Sequence, residues 1–340
     1  CSWDADWGSF TVHPEIRAHD WTRRRRNVDQ ASWPAWDAIA HQQVHTGWLH
    51  QAYRDGLRLM VMSALNNEAF CIFLPLANRA PGYECKDMAN VIRQLDAAKA
   101  LGSDPNTPWY RIAYSAAEAR DIIRDDKLAV VLSVEASDIF NEPDPLATLQ
   151  TLYDAGARTL QPMHQFNGKL GGVAWHEGAI KIVQMIKNLP NVNHLCKDDG
   201  GTGDFAKCDA SVDQLNYKGL TTDGVRFVVK MMNLGMPIDI AHMSELSVKD
   251  VEMISAAACD YPLYVSHGHV RTLLDAESWK AEKKHEKTTP DWQLDLLHKT
   301  GGMFGLRTGA DHHRADDYFS VMGAAGIQTM IPSKKEQVMP

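Results

Sequence analysis

The sequence predicts an α/β fold built on parallel strands, and three observations predict it. Short apolar runs recur along the chain, amphipathic stretches of helical periodicity separate them, and the links between the two are brief. The runs are LRLMVMSA at 57–64, LAVVLSVE at 128–135, ARTLQPMH at 157–164, MPIDIAH at 236–242, PLYVSH at 262–267 and GGMFGLR at 301–307. They are apolar with little alternation, as strands covered on both faces must be. With 340 residues, 44% of them hydrophobic, the chain is long enough for one barrel-sized core.

Taken in order, residues 1–35 form an irregular, Trp-rich N-terminal segment, and residues 36–330 form the barrel-type domain. The pattern turns helical from Trp36 to Asp55, ahead of the first run. Between Thr222 and Gly235, the residues Val225, Val228, Val229 and Met232 share one helical face, and Gly235 suits the position just past the helix. The next helix is expected to start at Ser247, with Asp250 three residues on as a near capping box and Leu246 and Val251 as a staple. Residues 165–219 break the rhythm as a long insertion containing Gly and Asp, and loops of that length lie over a site or an interface.

Composition excludes several classes. The net charge of −8 leaves no basic surface for nucleic acid, and the run Arg23–Arg26 is short and set among Trp and Asp. No apolar stretch approaches the roughly 18 residues of a membrane helix. The chain begins at Cys1, which suggests a processed precursor whose upstream segment stays bound, a lipidated terminus, or an N-terminal nucleophile. None of the six cysteines makes a pair with zinc-finger spacing. Cys196 and Cys208 flank one loop and could pair if the protein is exported, whereas Cys259, after an Ala run, reads as a buried thiol.

The strand ends carry the chemistry. Four of the runs finish in Glu135, His164, His242 and His267. A single polar strand end is usually a satisfied structural residue. Four in one chain, on otherwise apolar strands, point to a common pocket, because the C-terminal strand ends form the working face of an α/β barrel. Carboxylate and imidazole are also the donors that hold a catalytic divalent ion.

These residues sit in a wider resemblance. VLSVEAS, followed by LATLQTLYDAGARTLQPMHQFN, then GLTTDGVRFVVKMMNLGMPIDIAHMSE, PLYVSHGHVR and LLHKTGGMFGLR, resembles in order the membrane (renal) dipeptidases of the metal-dependent amidohydrolase superfamily, over about residues 127–307. The resemblance implies a (β/α)8 TIM-like barrel with two zinc ions. It implies hydrolysis of a dipeptide or related amide by a metal-bound hydroxide. Glu135 would bridge the metals, and His242 and His267 would complete the second zinc site. His164 would contact the substrate and its developing oxyanion, and Arg271 would hold the substrate carboxylate. The family's Arg-Asn pair is absent, and Lys287-Thr288 or a neighbour occupies its region.

Two family features find no counterpart. No strand carries the His-x-Asp or His-x-His pair of the first metal site, and no last strand bears the expected Asp. The first and last strands are therefore expected to lie outside this chain, with GIQTMIPS at 326–333 as one further strand candidate. His19-Asp20, the helical pair His41 and His45, and Asp311-His312-His313 are the remaining candidate ligands. The alternative function is a non-catalytic, dipeptidase-like binding or structural subunit. A homo-oligomer and an exported location, in periplasm, outside the cell or at a membrane, complete the expectations.

Overall fold

The computed structural model describes residues 46–73, 84–136, 138–175, 215–216, 218–273, 286–306 and 328–329. In chain order these form α1 (Thr46–Arg54), β1 (Leu59–Asn66), α2 (Glu68–Phe73), α3 (Asp87–Ser103), β2 (Tyr110–Ile112), α4 (Ala116–Arg124), β3 (Leu128–Ala136) and α5 (Pro145–Asp154). Then come α6 (Thr222–Asn233), β4 (Ile238–Asp239), α7 (Glu245–Ala257), β5 (Leu263–Gly268), α8 (Asp291–Lys299), β6 (Met303–Leu306) and β7 (Gln328–Thr329). Among the described residues, no helix is long and apolar enough to cross a membrane.

The chain divides into two compact units, residues 1–62 with 98–131, and residues 63–97 with 132–340. In the first, β2 pairs in parallel with β3 from Tyr110↔Leu128 to Ile112↔Val130, and Ala129 N–H donates to the Arg58 carbonyl of the strand before it. Leu49, Trp109, Tyr110, Leu128 and Val130 form one buried cluster in it, with Tyr53, Leu57 and Met60 packed against them. The sequence reading missed β2, whose three residues are too few for a period.

The second unit holds the longer run of strands. Leu132 and Val134 of β3 accept from Arg158 and Gln161, Leu160 bridges Ile238 in parallel, and the order continues β4-β5-β6-β7. The predicted run 157–164 is thus a hydrogen-bonded but irregular segment. The strand candidate at 326–333 does supply a strand beyond β6, because Gln328 and Thr329 pair in parallel with Met303 and Phe304. The candidates His19, Asp20, His41, His45 and Asp311–His313 lie outside the described residues.

Two helices differ from their sequence reading. α6 buries Gly224, Phe227, Val228 and Met231, while Val225 and Val229 are 39% and 41% exposed. The buried set has helical spacing too, so two apolar faces compete, and close approach decides between them. A Cβ on Gly224 would lie 1.9 Å from the Leu170 carbonyl oxygen, so this face seats directly on backbone. The end of the helix agrees with its sequence. Gly235 has φ +68°, and Gly235 and Met236 N–H close on Met232 and Met231 carbonyls in a Schellman end. α7 starts earlier than expected. Ser244 is its cap and accepts from Ser247 N–H, whereas Asp250 accepts from Leu220 N–H.

Cysteines also depart from expectation. Cys71 and Cys85 form a disulfide, and Cys259, past the end of α7 with φ 60°, is exposed and not buried. Cys196 and Cys208 lie outside the described residues.

Candidate metal centre

All four strand-end residues meet in the second unit. Glu135 comes from the end of β3, His164 from the end of the segment after Gln161, His242 from the turn after β4, and His267 from β5. Glu135 Oε1 is 3.0 Å from His164 Nε2, 3.6 Å from His242 Nε2 and 3.7 Å from His267 Nε2. The two latter nitrogens are 3.0 Å apart. The His164 and His242 rings meet edge to face at 4.6 Å. His164 is only 3% exposed.

This donor set fits a divalent ion. Two atoms bound tetrahedrally to one zinc, each at about 2.0–2.1 Å, lie about 3.4 Å apart. The triangle of Glu135 Oε1, His242 Nε2 and His267 Nε2 has edges of 3.0, 3.6 and 3.7 Å, scattered about that length. Glu135, His164 and His242 also lie within 4.8 Å of one another as a candidate ligand group.

Electrostatics agree with ligation. Burial pushes the Glu135 carboxyl towards the neutral form, but the charges of His164 and His267 and donors from His164 and Gln161 outweigh it. Its pKa falls to about 2, and the group is a carboxylate. Anionic oxygen beside imidazole is the form a cation requires.

The backbone at His242 is unusual. Its φ of 64° is a left-handed conformation that a non-glycine residue adopts only when its surroundings hold it there. Ala174 N–H donates to its carbonyl at 2.8 Å, and Val173 bridges Met243 in antiparallel fashion. The start of the 165–219 insertion therefore clamps the turn that carries His242. A cavity opens beside the histidines, lined by His242, His267, His269, Lys287, Thr288 and Gln293 among others.

Arg271 does not join this group. Its guanidinium, 2% exposed, donates to Glu245 Oε1 at 2.7 Å, to the Thr288 hydroxyl at 3.0 Å and to the Thr288 carbonyl at 2.8 Å. The spacing of Arg271 from His267 carried no information on which way the side chain turns. Nearby, Glu286 accepts from the N–H groups of Trp175, Asn216 and Glu245. Burial outweighs those three donors and pushes its pKa up to about 8. The sequence reading missed Glu286, Gln161, Asp239 and Ser266. The signal available was Asp239, a lone carboxylate inside an apolar strand.

Known proteins fit this picture. Residues 192–324 match the membrane dipeptidases, peptidase family M19. Dipeptidase verJ of Clonostachys rogersoniana is 24% identical over 194 residues, 57% of this chain and 37% of that protein. Dipeptidase 3 of Mus musculus is 35% identical over 88 residues, 26% of this chain and 15% of that one. The chain thus spans well under half the length of either relative. In fold, an amidohydrolase from Pseudomonas aeruginosa superposes with a TM-score of 0.54 at 14% identity, covering 86% of this chain and 72% of the other. Through residues 192–324, the chain is similar to the membrane dipeptidases of peptidase family M19.

Proposed function

We propose that the protein is a zinc-dependent hydrolase of dipeptides or related amides, working at the C-terminal strand ends of a (β/α)8 barrel. The observation that carries this is the convergence of Glu135, His164, His242 and His267 at 3.0–3.7 Å. Glu135, His242 and His267 would hold the metal. Glu135, whose pKa is lowered to about 2 beside His164 and His267, supplies the anionic oxygen. A zinc ion bound there supplies Lewis acidity towards a carbonyl oxygen and acidifies water. His164, buried and hydrogen-bonded to Glu135, is placed to donate to an oxygen that gains charge.

Lys287 lines the cavity that His242 and His267 also line, and we assign it the substrate carboxylate in place of Arg271. We further place the protein in an oxidising, exported setting, which the Cys71–Cys85 disulfide supports. The alternative is a non-catalytic, dipeptidase-like subunit in which the pairs His164–Glu135 and His242–His267, each at 3.0 Å, serve as structural contacts.

The two readings part on metal and turnover. Protein purified without chelator is expected to contain zinc and to hydrolyse dipeptides. His242→Ala should lower zinc content, whereas His164→Ala should keep it and lose about 10²–10³ in turnover, as loss of an oxyanion donor does. Wild-type protein without metal, or loss of metal in His164→Ala, would contradict the assignment.

A further inference from the structure

The histidines after β4 and in β5 each follow an amide that the same carboxylate oxygen holds. Asp239 Oδ1 accepts from Ala241 N–H at 3.0 Å and from Ser266 N–H at 3.0 Å. Ala241 precedes His242, and Ser266 precedes His267. The ladder between the two strands runs only through Ile238↔Leu263, Asp239↔Tyr264 and the Ile240 N–H on the Tyr264 carbonyl. Where it stops, the Asp239 carboxylate, 1% exposed, takes over.

Ser266 extends the link into the rings. Its side chain bonds the Asp239 carboxylate, its Oγ lies 3.0 Å from His267 Nδ1, and the Gln161 amide donates to it at 3.1 Å. Gln161 bonds Glu135 as well. Engaging Nδ1 fixes the His267 ring and leaves Nε2 for the metal side.

We propose that Asp239 and Ser266 are positioning residues that set the spacing and orientation of His242 and His267 for a divalent ion. The inference rests on the reading of those histidines as ligands. A buried carboxylate is costly, and a left-handed His242 needs support; one bracket across both strand ends accounts for the two together. Nothing here touches the substrate, so the effect must appear in metal affinity.

The test is a zinc titration of the full chain, stripped of metal, against a chromophoric chelator, with thermal unfolding of each variant as a control. Asp239→Ala is expected to weaken zinc about 10–100-fold, and Ser266→Ala about 10-fold, in chains that remain folded. Asp239→Asn keeps the bracketing oxygen and should lose less than Asp239→Ala. If Asp239→Ala does not fold, Ser266→Ala and Asp239→Asn decide. The proposal is overturned if the folded variants bind zinc within about threefold of wild type, a change below the usual second-layer effect. If wild type binds no zinc, or His242→Ala binds it as tightly as wild type, the ligand reading has failed, and the bracket with it.

Discussion

Arg271 shows how far a single residue can be read from sequence. A guanidinium four residues past His267, a proposed ligand, suits a substrate carboxylate, yet here it closes on Glu245 and Thr288. Removing Arg271 would leave Glu245 uncompensated, with its side chain 17% exposed. Arg271→Met is therefore expected to cost about 3 kcal/mol of stability. Urea unfolding checks this. A variant of unchanged stability whose KM for dipeptide rises would return Arg271 to the substrate. The four strand-end residues were legible because their chemistry contradicts the apolar strands around them. Asp239 carried the same contradiction but sits mid-run, away from the expected working end. Gln161, Ser266 and Glu286 gave no such signal, because amides, hydroxyls and carboxylates in loops are common, and only their partners distinguish them.

Elements were legible where one pattern had no rival. β3 and β5 lie within a residue or two of the runs read from sequence, because both faces are buried and the run length sets the strand. α6 is legible as a helix but not in its buried face, since its apolar residues offer two overlapping stripes. The two glycines of this helix separate conformational from steric demand. Gly235 has φ +68°, and a Cβ there would meet nothing within 4 Å, so Gly235→Ala should cost only the left-handed penalty, about 1 kcal/mol. Gly224→Ala would drive a methyl to 1.9 Å from the Leu170 carbonyl, where backbone must move. Its cost should reach about 3 kcal/mol, as overpacking does. Equal unfolding midpoints for the two variants would mean that α6 does not seat on Leu170. The start of α7 is ambiguous in sequence because Ser244 and Ser247 both suit a cap. Ser244 takes the role by accepting the Ser247 N–H, while its own hydroxyl reaches the Lys218 carbonyl.

At the scale of the whole molecule, long-range order was the least legible, because hydrogen bonds between strands distant in sequence leave no local pattern. β7, two residues long, lies within the strand candidate 326–333, but only its pairing with β6 shows where it belongs in the sheet. The proposed ligands are spread in the same way. Glu135, His242 and His267 span more than 130 positions of the sequence, so a bound ion would tie β3, the turn after β4 and β5 together. Those links do not persist in an unfolded chain, so the ion binds the native state alone and stabilises it by mass action. At free zinc 100 times the dissociation constant this amounts to about 2.7 kcal/mol. For a domain of this size that raises the unfolding temperature by about 5 °C. Chelation should therefore lower the unfolding temperature by that order, and restoring zinc should recover it in a concentration-dependent way. His242→Ala should be insensitive to both. A thermal scan of wild type and variant, with chelator and with zinc, measures the effect without any substrate. Identical curves for wild type in both conditions would show that Glu135, His242 and His267 hold no ion, and would leave the His164–Glu135 and His242–His267 pairs as structural contacts.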